Sequence, residues 1–139
     1  MALPFKLVSA DSHIVEPPDL WTKRIDRRFI DRAPQMITRD DGNFFALEGQ
    51  RSVATGNVNG IGLLATKRKY ANPEVYDFGF QGWWKDVPEA GYEPDARVKE
   101  LDREGIEAEL IYTSFGLRMY ALPDRDFRYA CFRAFNDWL

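Results

Sequence analysis

The 139-residue sequence predicts an α/β fold, and three local patterns predict it. A short apolar-rich stretch near the start reads as a strand. A helix, glycine, strand succession occupies residues 94 to 113, and an apolar stripe at helical spacing fills the last segment. Helix, glycine stop and continuous apolar run together make half of a repeated β/α unit.

Taken in order, Phe5-Lys6-Leu7-Val8-Ser9 is a brief strand running into a loop, with Asp11 and His13 just beyond its C-terminal end. Pro17 and Pro18 open a short helix in which Asp19 is a first-turn acid and Leu20, Trp21 and Ile25 keep helical spacing. The charged stretch from Arg24 to Arg32 is expected to be solvated. A hairpin insertion is predicted over about residues 35–53, because Met36-Ile37-Thr38 and the run from Asn43 to Leu47 flank Asp41-Gly42, a dipeptide suited to a two-residue turn. Residues 56–91 hold most of the glycines together with Tyr76, Phe78, Phe80, Trp83 and Trp84, and show no period, which predicts a long aromatic loop. Over 94–139 a β/α unit follows. Pro94 suits a first helical position, Val98 and Leu101 supply an apolar face, and Gly105 is a natural stop. Leu110, Ile111 and Tyr112 then form a buried strand extending to Thr113. Phe127, Ala130, Cys131, Ala134, Phe135 and Trp138 make the stripe of a final helix beginning near Asp124 or Asp126. This stripe reaches Leu139 without a stop signal, so the chain is expected to be a truncation.

Composition narrows the function classes. The length suits one domain. The net charge of -3 leaves no basic excess for a phosphate backbone, so no nucleic-acid partner is expected. A 45% hydrophobic and 14% aromatic chain expects a core rather than disorder. The single cysteine, Cys131, allows no intrachain disulfide and points to a reducing, cytoplasmic compartment. No stretch is long and apolar enough to span a membrane or act as a secretory signal. The single histidine, His13, is the most restrictive feature, since hydrolytic metal sites and nucleophile–histidine pairs mostly depend on imidazole.

Asp11 and His13 stand two positions apart, so an extended backbone can point both side chains the same way and one carboxylate with one imidazole can hold a divalent ion. Spacing alone equally fits a capping aspartate beside a hydrogen-bonded histidine. Glu16 is a candidate third ligand or supporting partner, against its plain reading as a pre-helix acid. The glycine cluster from Gly56 to Gly62 lacks the Gly-Lys-Ser/Thr ending of a phosphate loop and is not read as a nucleotide site. Lys67-Arg68-Lys69 is read as solvated loop, and Cys131, on an apolar stripe, as a small buried hydrophobe. Trp83 and Trp84 could line a pocket or simply pack.

Several segments together resemble a known family. They are Ser9-Ala10-Asp11-Ser12-His13-Ile14-Val15-Glu16-Pro17-Pro18-Asp19-Leu20-Trp21, then Arg32-Ala33-Pro34, then Tyr92 to Val98 leading into Leu101-Asp102-Arg103-Glu104-Gly105-Ile106, and finally Arg133 to Leu139. In this order they resemble the amidohydrolase-related family, the branch of the metal-dependent amidohydrolase superfamily that includes the aminocarboxymuconate-semialdehyde and hydroxybenzoate decarboxylases. The resemblance implies the N-terminal part of a (β/α)8 TIM barrel, with its active site at the C-terminal ends of the strands. It implies Asp11 and His13 as metal ligands, Asp11 standing where the family often has histidine or glutamate, and a divalent cofactor, Zn2+ first and Mn2+ as the alternative.

The family's remaining ligands, histidines and an aspartate of later strands, would fall beyond Leu139, and a whole barrel needs about 250 residues. The expected activity is therefore that of a metal-dependent hydrolase or decarboxylase acting on a small carbonyl, amide or aromatic carboxylate substrate, with this chain inactive alone. Barrel geometry places Tyr112 and Ser114 at the substrate pocket, and exposed strand edges suggest a homo-oligomer. The contrasting expectation is a non-enzymatic α+β module that binds a partner, or itself, through the aromatic loop from Tyr76 to Trp84.

Overall fold

Two strands far apart in sequence form the scaffold of the site. In the computed structural model, which describes residues 6–40, 42–48, 53–54 and 83–139, β1 (Leu7–His13) pairs in parallel with a strand at Ile106–Tyr112. The register sets Val8 opposite Ala108 and His13 opposite Tyr112, with irregularities after Leu7 and between Ser9 and Ser12. This first strand is longer than its sequence suggests: Asp11 and His13 lie within it rather than past its end. Asp, Ser and His are poor strand formers, and a partner running alongside as far as Tyr112 overrides that preference.

Between the paired strands come α1 (Leu20–Arg24), β2 (Gln35–Arg39), β3 (Gly42–Ala46), β4 (Val53–Ala54) and α2 (Pro94–Glu104), and after them α3 (Arg125–Trp138). The strand at Ile106–Tyr112 is therefore β5. β2, β3 and β4 form an antiparallel sheet in that order. Arg39 pairs with Gly42, so this glycine begins β3 instead of completing the turn, one position earlier than the Asp41-Gly42 reading implies. Asp41, the 56–62 glycine cluster, Lys67-Arg68-Lys69 and the aromatic run before Trp83 lie outside the described residues. The described end of the predicted loop forms two short 3-10 segments, Trp84–Asp86 and Glu89–Gly91, and the Trp84 ring packs on Tyr92 at 4.8 Å.

Local chemistry accounts for the β/α connection. Pro94 occupies the start of α2, where its missing N–H costs nothing. Gly105 takes the left-handed conformation at φ 71° and returns its N–H to the carbonyls of Leu101 and Asp102, which ends the helix and releases the chain into β5. Asp124 caps α3 by accepting the Phe127 N–H at 3.1 Å.

The core lies where α1, the hairpin and α3 meet. Trp21 is fully buried, with its ring edge-on to Phe45 and Phe115, which stack on each other at 4.5 Å. Its indole N–H donates to the Cys131 carbonyl at 3.1 Å. Each such aromatic contributes about 1.5–3 kcal/mol through burial. The charged residues of the Arg24–Arg32 stretch are mostly exposed, as expected, but Ile25 and Phe29 within it are buried. Arg27–Arg32 is a 3-10 segment whose Phe29 is buried against Phe127 at 5.5 Å. Arg32 lies over the Phe127 ring at 4.3 Å and pairs with Asp124 at 2.8 Å. Arginine hydrogen bonds hold the Asp124 carboxyl below its usual range. Among the described residues no helix is long and apolar enough to cross a membrane.

Candidate functional site at the ends of the parallel strands

At the C-terminal end of β1, Asp11 and His13 come together, with the carboxylate Oδ1 3.5 Å from the imidazole Nε2. Both side chains are open to solvent. The other ring nitrogen, Nδ1, lies 3.2 Å from the Thr113 carbonyl oxygen at the end of β5. A carbonyl can only accept, so this hydrogen bond needs a proton on Nδ1, and Nε2 is the nitrogen turned toward Asp11.

This arrangement fits two ligands of one metal ion. With bonds of about 2.0–2.1 Å and tetrahedral angles, two donor atoms on zinc stand about 3.3 Å apart, close to the observed 3.5 Å. A backbone carbonyl holding the non-coordinating imidazole nitrogen is the usual support of a histidine ligand. Among the described residues, no group of three His, Cys, Asp or Glu side chains is placed to share an ion, and Glu16 is not a third ligand.

Glu16 is instead engaged inward, and this the sequence reading did not foresee. It is fully buried, and its carboxylate accepts four hydrogen bonds from the segment that follows β5. Oε1 takes the Thr113 hydroxyl, the Ser114 N–H at 2.9 Å and the Gly116 N–H at 3.0 Å, and Oε2 takes the Phe115 N–H at 3.0 Å. These amides open the 3-10 segment Phe115–Ala121, whose first N–H groups would otherwise lack partners. One signal was present: an acid set in Ile14-Val15-Glu16-Pro17-Pro18, a stretch with no other polar side chain.

Tyr112 sits opposite His13 in register, so the two share a face of the sheet, with ring centroids 6.0 Å apart. Ser114 is also at the site. Its hydroxyl donates to the Ile14 carbonyl at 2.6 Å and lies 3.5 Å from His13 Nδ1. Cys131 is remote and enclosed, and burial pushes its thiol up to about 12. A separate, mostly apolar cleft of about 240 Å³ lies between α2, the strands and the end of α3. One wall carries Arg97 and Glu109, a pair joined by two hydrogen bonds, one of 2.9 Å, that keeps the glutamate below its usual range.

No family model and no curated protein matches the sequence. The structure is similar to the crystal structure of an amidohydrolase from Mycobacterium avium subsp. paratuberculosis K-10, with a TM-score of 0.66 and 25% sequence identity. The match covers 99% of this chain and 38% of that one. The likeness supports a relationship to the amidohydrolases, and the chain spans well under half the length of the protein it matches.

Proposed function

We propose that this chain is the N-terminal portion of a metal-dependent enzyme of the amidohydrolase superfamily, in the decarboxylase-like branch, built on a (β/α)8 barrel. The observation that carries the reading is the Asp11–His13 pair, which sits at the C-terminal end of a parallel strand with a bite suited to one divalent ion. The amidohydrolase likeness over nearly the whole chain supports it.

In this reading Asp11 Oδ1 and His13 Nε2 would hold Zn2+, or Mn2+, with further ligands from outside this chain. When bound, such an ion supplies Lewis-acid polarisation of a substrate carbonyl or carboxylate oxygen. The chain's own residues set the stage for that chemistry. The Thr113 carbonyl accepts from Nδ1, which leaves Nε2 as the nitrogen that would meet the ion. Tyr112 offers an exposed aromatic face beside the pair, suited to the ring or carbon skeleton of a small carbonyl, amide or aromatic carboxylate. Ser114 braces the His13 strand through the Ile14 carbonyl, with its hydroxyl 3.5 Å from His13 Nδ1.

Zinc titration by calorimetry on the parent, Asp11→Ala and His13→Ala, with the imidazole resonances of the only histidine as a second readout where it is present, tests the metal site. The expected result is saturable binding that weakens at least tenfold in Asp11→Ala, and no histidine-dependent binding in His13→Ala. Equal zinc affinity in the parent and both variants would overturn the assignment.

A further inference from the structure

We infer that Glu16 is the positioning residue that sets the tautomer of His13, acting through the peptide unit between Thr113 and Ser114. Its relevance to metal binding rests on the function proposed above, but the tautomer itself does not.

The argument is one of rigid geometry. Glu16 Oε1 receives both the Thr113 hydroxyl and the Ser114 N–H, so one carboxylate oxygen grips the peptide unit from its side chain and from its amide. That peptide is trans, as are all described peptide bonds, and planar. Its N–H and C=O therefore point in opposite directions. Drawing the Ser114 N–H inward to the buried carboxylate turns the Thr113 carbonyl outward, and there it meets His13 Nδ1 at 3.2 Å. Phe115 and Gly116 add two more amide bonds to the same carboxylate, so the peptide cannot flip without disturbing all four. Gly116 also allows the grip. A Cβ on this residue would lie 2.1 Å from Thr113 Oγ1, the hydroxyl that Glu16 holds.

Only donors face Glu16, so its acceptor oxygens are what hold the segment. In Glu16→Gln the amide oxygen can still take Thr113, Ser114 and Gly116 while the NH2 meets the Phe115 N–H, which weakens the grip without releasing it. Glu16→Leu removes both acceptors: the Thr113–Ser114 peptide loses its anchor, and the imidazole loses the carbonyl that selects Nδ1–H.

Long-range ¹H–¹⁵N spectra of the single histidine, recorded without metal across a pH series up to the point where the ring nitrogens stop shifting, read the tautomer directly. The parent protein is expected to show Nδ1 protonated and Nε2 bare. Folded Glu16→Leu should shift most of the population to Nε2–H, and Gly116→Ala, which displaces the Thr113 hydroxyl while keeping the carboxylate, should shift it part of the way. Phe29→Leu, a core change against Phe127 of α3 rather than this loop, should leave the signature unchanged at a comparable loss of stability. If zinc binds, Glu16→Leu should weaken it about 10- to 100-fold. A parent protein already in the Nε2–H form overturns the inference even if no variant folds, and so does an unchanged tautomer in either folded variant. The parent tautomer as expected but with no zinc binding would instead count against the proposed function alone.

Discussion

Glu16 and Cys131 are both buried, but in different company. Glu16 is buried but surrounded by four donors, three of them backbone amides that need acceptors in any case. Cys131 is buried among apolar neighbours on the inner face of α3, where a thiolate would find no solvation. The nearby positive charge of Arg32 opposes this effect without cancelling it, and the thiol rises to about 12. Relative to an ordinary exposed thiol, its thiolate fraction at neutral pH falls by roughly a thousandfold. Iodoacetamide is therefore expected to leave the native protein unmodified and to label Cys131 stoichiometrically in urea. Labelling of the native protein at the denatured rate would show that the α1–α3 core opens readily.

At the scale of elements, the contact between α2 and the parallel sheet depends on Arg97 and Glu109. Their side chains are 17% and 7% exposed, and Arg97 also donates to the Ala90 carbonyl at 3.1 Å, so one guanidinium links α2, β5 and the preceding 3-10 turn. The hydrogen bonds from Arg97 are the main cause that lowers the Glu109 pKa, with Ser12 of β1 adding to them. A carboxyl whose folded pKa lies below its unfolded value stabilises the protein above the unfolded pKa, here 4.5, and that contribution is lost as pH falls through the folded value. Glu109→Gln should thus cost about 1.5–3 kcal/mol near neutral pH, the range for bonds to charged groups. It should also flatten the stability loss as pH falls below about 4.5. Urea unfolding across that range checks both, and an unchanged acid slope would remove Glu109 from the account. The elements themselves were largely legible in sequence because their signals are local: Pro94 and Gly105 bracket α2, and the stripe from Phe127 to Ala134 marks the buried face of α3. What sequence reading missed depends on distant partners. Glu16 meets donors 97 to 100 positions away, Arg32 meets Asp124 across 92, and β1 extends to His13 only because β5 lies beside it. The Asp11–His13 pair lay between these cases, since the two-residue spacing allows the approach but only the strand makes it.

At the scale of the whole molecule, the parallel β1–β5 pair has an uneven environment. α2 covers one side, where Ser9, Ser12, Glu109 and Ile111 are partly buried, while Val8, Leu110 and Tyr112 on the other are 67%, 54% and 42% exposed. Parallel sheets are ordinarily covered on both faces, and two strands alone are marginal in water. Among the described residues no further strand joins either edge. An apolar strip with free backbone donors and acceptors beside it favours pairing with a second copy of the chain. Light scattering over a concentration series is expected to show a mass that rises with concentration for the parent protein. Leu110→Lys should hold the mass at the monomer value, because the change puts a charge at the centre of the strip and disturbs no buried contact. A parent protein that stays monomeric at every concentration would mean that the strip does not drive association. An associating Leu110→Lys variant would locate the interface away from this strip.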